Sequence, residues 1–186
     1  MVTTFCSSIS DAVSGQRLTT RRPDRVRALI LVSTPGPRWR PQPRLARYMK
    51  RPTLSSPLFF LGSIGRVWPE VCATFPDVRT RFGFCVATLS RIVTAPPSPS
   101  RMSRRARLAA AEDFLDDCAR VAAPTLVISG EHHLDRIVKY DDTLDYLTLI
   151  QGARFQLFDQ TGHLGIISAP ERFAAIVSRF RLTLNH

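Results

Sequence analysis

Side chains that could do chemistry are concentrated in two short stretches in the last third of the 186-residue chain. His132, His133 and Asp135 fall together in the segment GEHHLD, and His163 stands between two glycines in TGHLG. Histidine and aspartate can ligate a metal, so a metal site is one interpretation of the first stretch. Adjacent residues in a loop rarely converge on one ion, and no helical i, i+4 pair is present. We therefore expect no metal and no cofactor.

The cysteines form neither a CxxC pair nor a zinc-ligand spacing. A disulfide framework is not implied, and we expect reduced cysteines that serve mostly in packing. The four are Cys6, Cys72, Cys85 and Cys118.

The net charge of +11 is unevenly placed along the chain. Residues 1–107 hold 19 basic and 4 acidic residues, whereas residues 108–186 hold 7 and 11. A basic surface could attract nucleic acid. However, 24 of the 26 basic residues are scattered arginines, and no zinc-finger, RRM or KH signature is present. We interpret the charge as a compositional bias and do not expect nucleic-acid binding.

No apolar run approaches the roughly 18 residues of a membrane span. The first 15 residues lack the positive region and apolar stretch of a secretory signal. The sequence therefore predicts a cytoplasmic, soluble protein without a membrane segment.

Three short apolar runs predict buried parallel strands, at Ala28–Val32, Thr125–Ser129 and Arg154–Phe158. Helical patterns follow or precede them, at residues 140–150 and 169–182. Ser168 to Glu171 has the form of a capping box, which predicts the start of the last helix. This rhythm is typical of an α/β fold, in which helices flank a mostly parallel sheet.

More than 90 residues separate the first two runs, far more than one crossover helix needs. Helical patterns cover residues 43–50, 58–67, 78–93 and 104–119 of this stretch, and the segment APPSPS at 95–100 breaks them. The sequence therefore predicts a helical insertion in the α/β domain.

Three blocks resemble the α/β-hydrolase family in order and spacing. RRPDRVRALILVSTPG (21–36) resembles the exit of the nucleophile helix and the sixth strand. APTLVISGEHHLDRIV (123–138) resembles the seventh strand and acid loop, and residues 149–180 resemble the eighth strand, histidine loop and last helix. The resemblance implies an incomplete hydrolase core at 1–36 and 119–186, with a helical lid at 37–118. The family's first strands have no counterpart here, so the resemblance implies a partial α/β-hydrolase fold.

By this resemblance, His163 is the histidine that takes the nucleophile's proton, and an acid after the seventh strand orients it. Many relatives have that acid three residues after the strand's glycine, where His133 follows Gly130. Either the loop register differs and Asp135 is the acid, or Asp135 is an ordinary surface carboxylate. We favour Asp135 as the acid.

The family's G-x-S-x-G turn matches Cys6–Ser10, which makes Ser8 the candidate nucleophile. Cys6 and Ser10 replace both glycines. The backbone N–H of Ile9 would then donate to the oxyanion. A serine-rich segment without a catalytic role is the alternative.

The resemblance implies a serine hydrolase that cleaves a small ester, amide or related acyl substrate. The alternative is a truncated, inactive hydrolase-like protein that binds a ligand or partner. An apolar substrate pocket is expected from the aromatics of the lid, although simple packing explains them equally well. These aromatics are Phe59, Phe60, Trp68, Phe75, Phe82 and Phe84. The strand at Val2–Phe5 would be an open sheet edge through which copies could self-associate.

Overall fold

A computed structural model describes residues 2–6, 9–111 and 115–184. Helices dominate the described chain and surround one small sheet. In chain order the elements are β1 (Val2–Cys6), α1 (Ile9–Arg21), β2 (Val26–Val32), α2 (Pro43–Lys50), α3 (Pro52–Thr74), α4 (Val78–Thr94), α5 (Pro99–Ala111), α6 (Leu115–Ala119), β3 (Thr125–Gly130), α7 (Tyr140–Leu149), β4 (Arg154–Phe158), α8 (Gly165–Ser168) and α9 (Pro170–Leu182).

The four described strands form a parallel sheet in the order β1-β2-β3-β4. Ile30 of β2 pairs with Leu126 of β3, and Ile128 of β3 pairs with Gln156 of β4. The three strands predicted from apolar runs are β2, β3 and β4, so the α/β class and the parallel sheet are confirmed. Because the strands are parallel, their carboxyl ends meet at one edge of the sheet.

Side chains alternate between two apolar clusters, one on each face of the sheet. Leu29, Leu31 and Val127 pack on one face with Tyr146 and Ile150 of the α7 region. The opposite cluster includes α9 and consists of Ala28, Ile30, Val32, Leu126, Ile128, Phe158, Ala169, Val177 and Phe180. Helices therefore cover both faces, which explains why the strands read as continuous apolar runs.

Cys118 belongs to the first cluster and is fully buried. Burial raises the pKa of its thiol to about 12. Its sulfur lies 3.3 Å from the Gln16 side-chain oxygen, to which the thiol donates. This cysteine therefore remains a protonated packing residue, as the sequence predicts.

Four helices, α2 to α5, occupy the long segment between β2 and the α6–β3 region, and we call them the inserted helices. The Tyr48 ring of α2 stacks on Phe59 of α3, with ring centroids 4.4 Å apart. The Tyr48 hydroxyl donates to the Pro99 carbonyl at 3.1 Å, and Ser103 of α5 donates to the Met49 carbonyl at 3.1 Å. These contacts hold α2, α3 and α5 together.

The inserted helices differ from the predicted ones at α3, which runs for 23 residues. The sequence pattern predicted only residues 58–67, because Pro57 and Pro69 each remove a backbone donor. Both prolines lie inside α3. The predicted helix 104–119 begins earlier than expected, because α5 starts at Pro99, and α6 ends at Ala119 as predicted; residues 112–114 lie outside the described chain.

The predicted capping box at the last helix is also wrong. Ser168 ends α8, and Ala169 is the residue before α9, so no side-chain cap forms there. The Ser168 hydroxyl is buried without a hydrogen-bond partner. Pro170 still begins the helix, where its missing N–H costs nothing.

No described helix is long and apolar enough to cross a membrane.

Gly130, at the end of β3, allows a close approach of two backbone segments. A Cβ atom added there would lie 2.5 Å from the Gly162 Cα and 2.6 Å from the Thr161 carbonyl oxygen. Backbone atoms cannot rotate away, so we expect Gly130→Ala to lower the free energy of unfolding by about 2 kcal/mol in urea denaturation.

Gly83→Ala in α4 is the matched control, because an added Cβ there meets nothing within 4 Å. Alanine in a helix interior is favoured over glycine by about 1 kcal/mol, so this variant should be slightly more stable than the parent. Equal stability of Gly130→Ala and the parent would contradict the close approach.

Candidate active site

Three loops converge at the carboxyl edge of the sheet, after β2, β3 and β4. The Glu131 N–H after β3 donates to the Thr161 carbonyl after β4 at 2.8 Å. The Gln160 N–H donates to the Glu131 carboxylate at 2.6 Å, and the Ser33 hydroxyl after β2 donates to the Gly162 carbonyl at 3.4 Å. These bonds fix the two loops that carry Asp135 and His163.

Asp135 is almost fully buried, with 3% of its side chain exposed. Its Oδ1 accepts the backbone N–H groups of Ile137 and Val138, at 3.0 and 2.9 Å. Its Oδ2 points toward His163. The carboxylate is therefore held by two backbone donors on one oxygen and offers the other to the histidine.

His163 is paired with this carboxylate, and 26% of its side chain is exposed. The Nδ1 atom lies 3.6 Å from Asp135 Oδ2, which is within ion-pair distance but longer than a hydrogen bond. Nδ1 is buried and has no hydrogen-bond partner in the described structure. Catalytic hydrogen bonds are often long in enzymes without a ligand and shorten when substrate binds.

The structure brings Asp135 to His163, whereas His133 lies elsewhere. His133 is largely exposed, and its Nδ1 lies 3.4 Å from the Glu131 carboxylate. The shift arises in the turn after β3, where the N–H groups of Leu134 and Asp135 both donate to the Glu131 carbonyl at 2.9 Å. This tight turn aims Asp135 at the histidine.

The structure describes only part of the segment that is predicted to carry the nucleophile and the oxyanion donor. Ser8 lies outside the described residues. Ile9 is the first residue of α1, directly beyond β1 and the undescribed pair Ser7–Ser8.

Among the described residues, no group of three histidine, cysteine or acidic side chains is placed to hold a metal ion. His132 and His133 stand with their ring centroids 6.0 Å apart.

Glu70 of α3 is a site residue that the sequence analysis missed. Only 1% of the residue is exposed, and both carboxylate oxygens accept the Leu164 N–H, at 2.8 and 2.9 Å. Residues 37–111 contain 14 basic residues but only two acidic ones, Glu70 and Asp77. An acidic residue that is isolated in so basic a segment is the sequence feature that could have identified Glu70 as a site residue.

The environment of Glu70 raises its pKa, chiefly because burial penalises the charged form. Backbone donors at Leu164 and Gly162 oppose that effect, the charge of Asp135 adds to it, and His163 opposes it. Glu70 therefore connects the inserted helices to the histidine loop in two ways. It accepts a hydrogen bond from Leu164, and its charge interacts with that of His163.

A cavity of about 230 Å³ opens beside His163. Of the six aromatics expected to line a substrate pocket, only Phe59 does so. Trp68 and Phe82 are exposed, and the Phe75 and Phe84 rings pack on each other, with centroids 4.7 Å apart. The cavity is lined by Pro35, Trp39, Gln42, Arg44, Leu45, Phe59, Arg66, Ala106, Ile137, Val138 and His163.

The fold matches solved structures over nearly all of this chain. BpoC from Mycobacterium tuberculosis H37Rv has a TM-score of 0.71 and 18% identity, covering 97% of this chain and 66% of that one. MGS-M2, an α/β-hydrolase enzyme from a Medee basin deep-sea metagenome, has a TM-score of 0.67 and 17% identity, with coverages of 95% and 62%. The enol-lactonase from Burkholderia xenovorans LB400 has a TM-score of 0.64 and 19% identity, with coverages of 92% and 62%.

No model of a known protein family matches the sequence, and no curated protein matches it. The identification therefore rests on structure. The chain has the α/β-hydrolase fold, and it spans 62 to 66% of the length of these three solved structures.

The raised pKa of Glu70 generates a prediction about stability and pH. A carboxyl group whose pKa is higher in the folded than in the unfolded state contributes stability below its ordinary value of 4.5, and that contribution is lost as pH rises through the folded pKa. The stability of the parent relative to Glu70→Gln should therefore fall from pH 4 to pH 7, by at most about 1.4 kcal/mol per pH unit. Urea unfolding at each pH measures this difference.

Asp77→Asn is the control with the opposite sign. At the start of α4 the Thr80 N–H donates a hydrogen bond to the Asp77 carboxylate. This bond is the largest cause of the lowered pKa of Asp77. Its contribution is present above the ordinary pKa of 3.8 and is lost as pH falls. A pH-independent difference between the parent and Glu70→Gln would contradict a raised pKa of Glu70.

Proposed function

We propose that this protein is a serine hydrolase of the α/β-hydrolase class that cleaves a small ester, amide or related acyl substrate. The observation that carries the proposal is the buried Asp135, which is held by two backbone donors and faces His163 Nδ1. That carboxylate would set the tautomer of the imidazole and stabilise the imidazolium that forms during reaction. The exposed side of the ring would remain available for proton transfer in the cavity.

In the proposed reaction, Ser8 attacks the substrate carbonyl while His163 takes its proton. The negative charge that develops on the carbonyl oxygen is stabilised by the Ile9 N–H, at the start of α1. His163 then passes the proton to the leaving group, and a water molecule hydrolyses the acyl-enzyme by the same route. Neither a metal nor a cofactor takes part in this mechanism.

We further propose that residues 37–118 form a lid over a core built from residues 1–36 and 119–186. The contact between Glu70 and Leu164 supports this role, because it joins α3 to the histidine loop. The cavity supports it too, since α2, α3 and α5 line one side of it and the loop after β3 lines the other. A substrate that enters would therefore be enclosed between the inserted helices and His163.

The second candidate function is a hydrolase-like protein that binds a ligand or partner without catalysis. The distance of 3.6 Å between His163 and Asp135 favours it, as do Cys6 and Ser10 at the positions of the family's glycines. The edge strand β1 pairs only with β2 among the described strands, so its other edge could pair with a second copy. Location in the cytoplasm remains a prediction.

Labelling by a fluorophosphonate probe tests the nucleophile. The purified parent should be labelled, and Ser8→Ala should abolish the label because the attacking oxygen is gone. Ser7→Ala is the matched control and should keep it. A parent that takes no label, or a label that survives Ser8→Ala, would favour the non-catalytic candidate.

The role of Asp135 is tested by Asp135→Asn. Loss of the carboxylate favours the wrong tautomer of His163, and a decrease of about 10⁴-fold in kcat is typical of this change. The exposed Asp141→Asn should retain the activity of the parent. The kcat for hydrolysis of p-nitrophenyl butyrate is measured for all three proteins. Similar kcat values for Asp135→Asn and the parent would exclude Asp135 as the acid.

A further inference from the structure

Two arginines line the cavity that contains His163, and no acid in the described part of the chain neutralises either of them. Arg44 belongs to α2 and Arg66 to α3. Among the described residues, no carboxylate forms an ion pair with either guanidinium. Both acids of the segment 37–111 are engaged elsewhere, Glu70 with Leu164 and Asp77 with Thr80. The two positive charges therefore face the cavity without a counter-ion.

Arg66 is fixed at the cavity wall but retains unused donor capacity. Its Nη2 donates to the Ser63 hydroxyl at 2.9 Å, and its guanidinium carbon lies 5.7 Å from the centroid of the Phe59 ring. Its Nε is buried and has no hydrogen-bond partner among the residues that the structure describes. A buried N–H without a partner is costly and is usually satisfied by a ligand or water.

Arg44 is exposed and lies against the neighbouring helix α3. Its Nη2 lies 3.4 Å from the Leu58 carbonyl and packs on Gly62, where any side chain would overlap the guanidinium. Burial and the nearby charge of Arg44 lower the pKa of Arg66. Both cations line the same cavity, and an anion bound to both would offset their mutual repulsion.

The shape of the neighbouring surface limits the kind of anion. The cavity that contains Arg44, Arg66 and His163 is also lined by the apolar side chains of Leu45, Phe59, Ile137 and Val138. A guanidinium binds a carboxylate through two parallel hydrogen bonds, and these apolar side chains would contact a short chain that joins the carboxylate to a group at His163. The site therefore suits a small molecule that combines an apolar chain with a carboxylate.

We propose that Arg44 and Arg66 bind a carboxylate of the substrate, so that the preferred substrates are half-esters or half-amides of small dicarboxylic acids. This inference rests on the proposed hydrolase function for the reaction at the other end of the molecule. The arginines act in substrate binding and specificity. His163, on the same cavity, would face the ester or amide carbonyl.

Equilibrium binding of a charged and an uncharged analogue tests the inference in the Ser8→Ala variant, which lacks the attacking oxygen and therefore cannot turn over a half-amide through Ser8. Glutaramate and glutaramide have the same shape, but only the first carries a carboxylate. By calorimetry, glutaramate should bind Ser8→Ala at least about tenfold more tightly than glutaramide, as expected for a hydrogen-bonded charge. Equal affinities would overturn the proposal.

Arg66→Gln and Arg44→Gln should each reduce that preference by about tenfold, mainly by weakening glutaramate binding. Arg66→Lys keeps the charge and should retain more of the preference than Arg66→Gln. Arg91→Gln, on the exposed surface of α4, is the matched control and should leave the preference unchanged. An unchanged preference in both glutamine variants, with parent-like circular dichroism, would also overturn the proposal.

The two proposals can fail separately. If glutaramate binding depends on the arginines but Ser8 takes no fluorophosphonate label, the carboxylate site stands and the hydrolase function is wrong. If Ser8 is labelled but glutaramide binds as tightly as glutaramate, the hydrolase function stands and the carboxylate site is wrong.

Discussion

The ends of β3 and β4 touch through their backbones, and the geometry of the site follows from that contact. Gly130 leaves room for the Thr161–Gly162 backbone, and the Glu131 N–H bonds the Thr161 carbonyl across the gap. Side chains at this point would separate the two loops. Because the loops are close, an aspartate five residues beyond Gly130 can reach a histidine that follows the neighbouring strand. The pairing of Asp135 and His163 is thus a consequence of strand packing, and it needs no contact between the helices.

The inserted helices are coupled to this centre by one buried carboxylate. Burial of Glu70 is unfavourable when the group is ionised, and the backbone donors at Leu164 and Gly162 compensate only part of that cost, because the pKa of the carboxyl is still raised. A group in this position is sensitive to the charge of its neighbours Asp135 and His163. Formation of an imidazolium at His163 would therefore favour the ionised form of Glu70 and strengthen its bond to the histidine loop. The electrostatics of the site and the attachment of α3 are linked in this way.

The sequence predicted the parts of the fold whose signals are local. Continuous apolar runs identified β2, β3 and β4, because strands covered on both faces have no polar side to break the run. Local signals misled where tertiary packing dominated: α3 continues through Pro57 and Pro69, and Ser168 lies in a separate short helix. The resemblance to α/β-hydrolases directed attention to Asp135 and His163. Glu70 was invisible, since its partner Leu164 is 94 residues away.

The role of the arginines also depends on tertiary structure and could not be predicted from local sequence. In the sequence, arginines are spread along the inserted segment without a pattern, and a compositional bias is the natural interpretation. Most of them lie on the surface, where solvent and salt reduce the effect of each charge. Arg66 is half-buried and Arg44 is exposed, but folding places both on one partly enclosed cavity with no carboxylate described beside them. The functional meaning of a charge thus depends on its desolvation and on which partners folding has already given it, and neither property is readable from residue order.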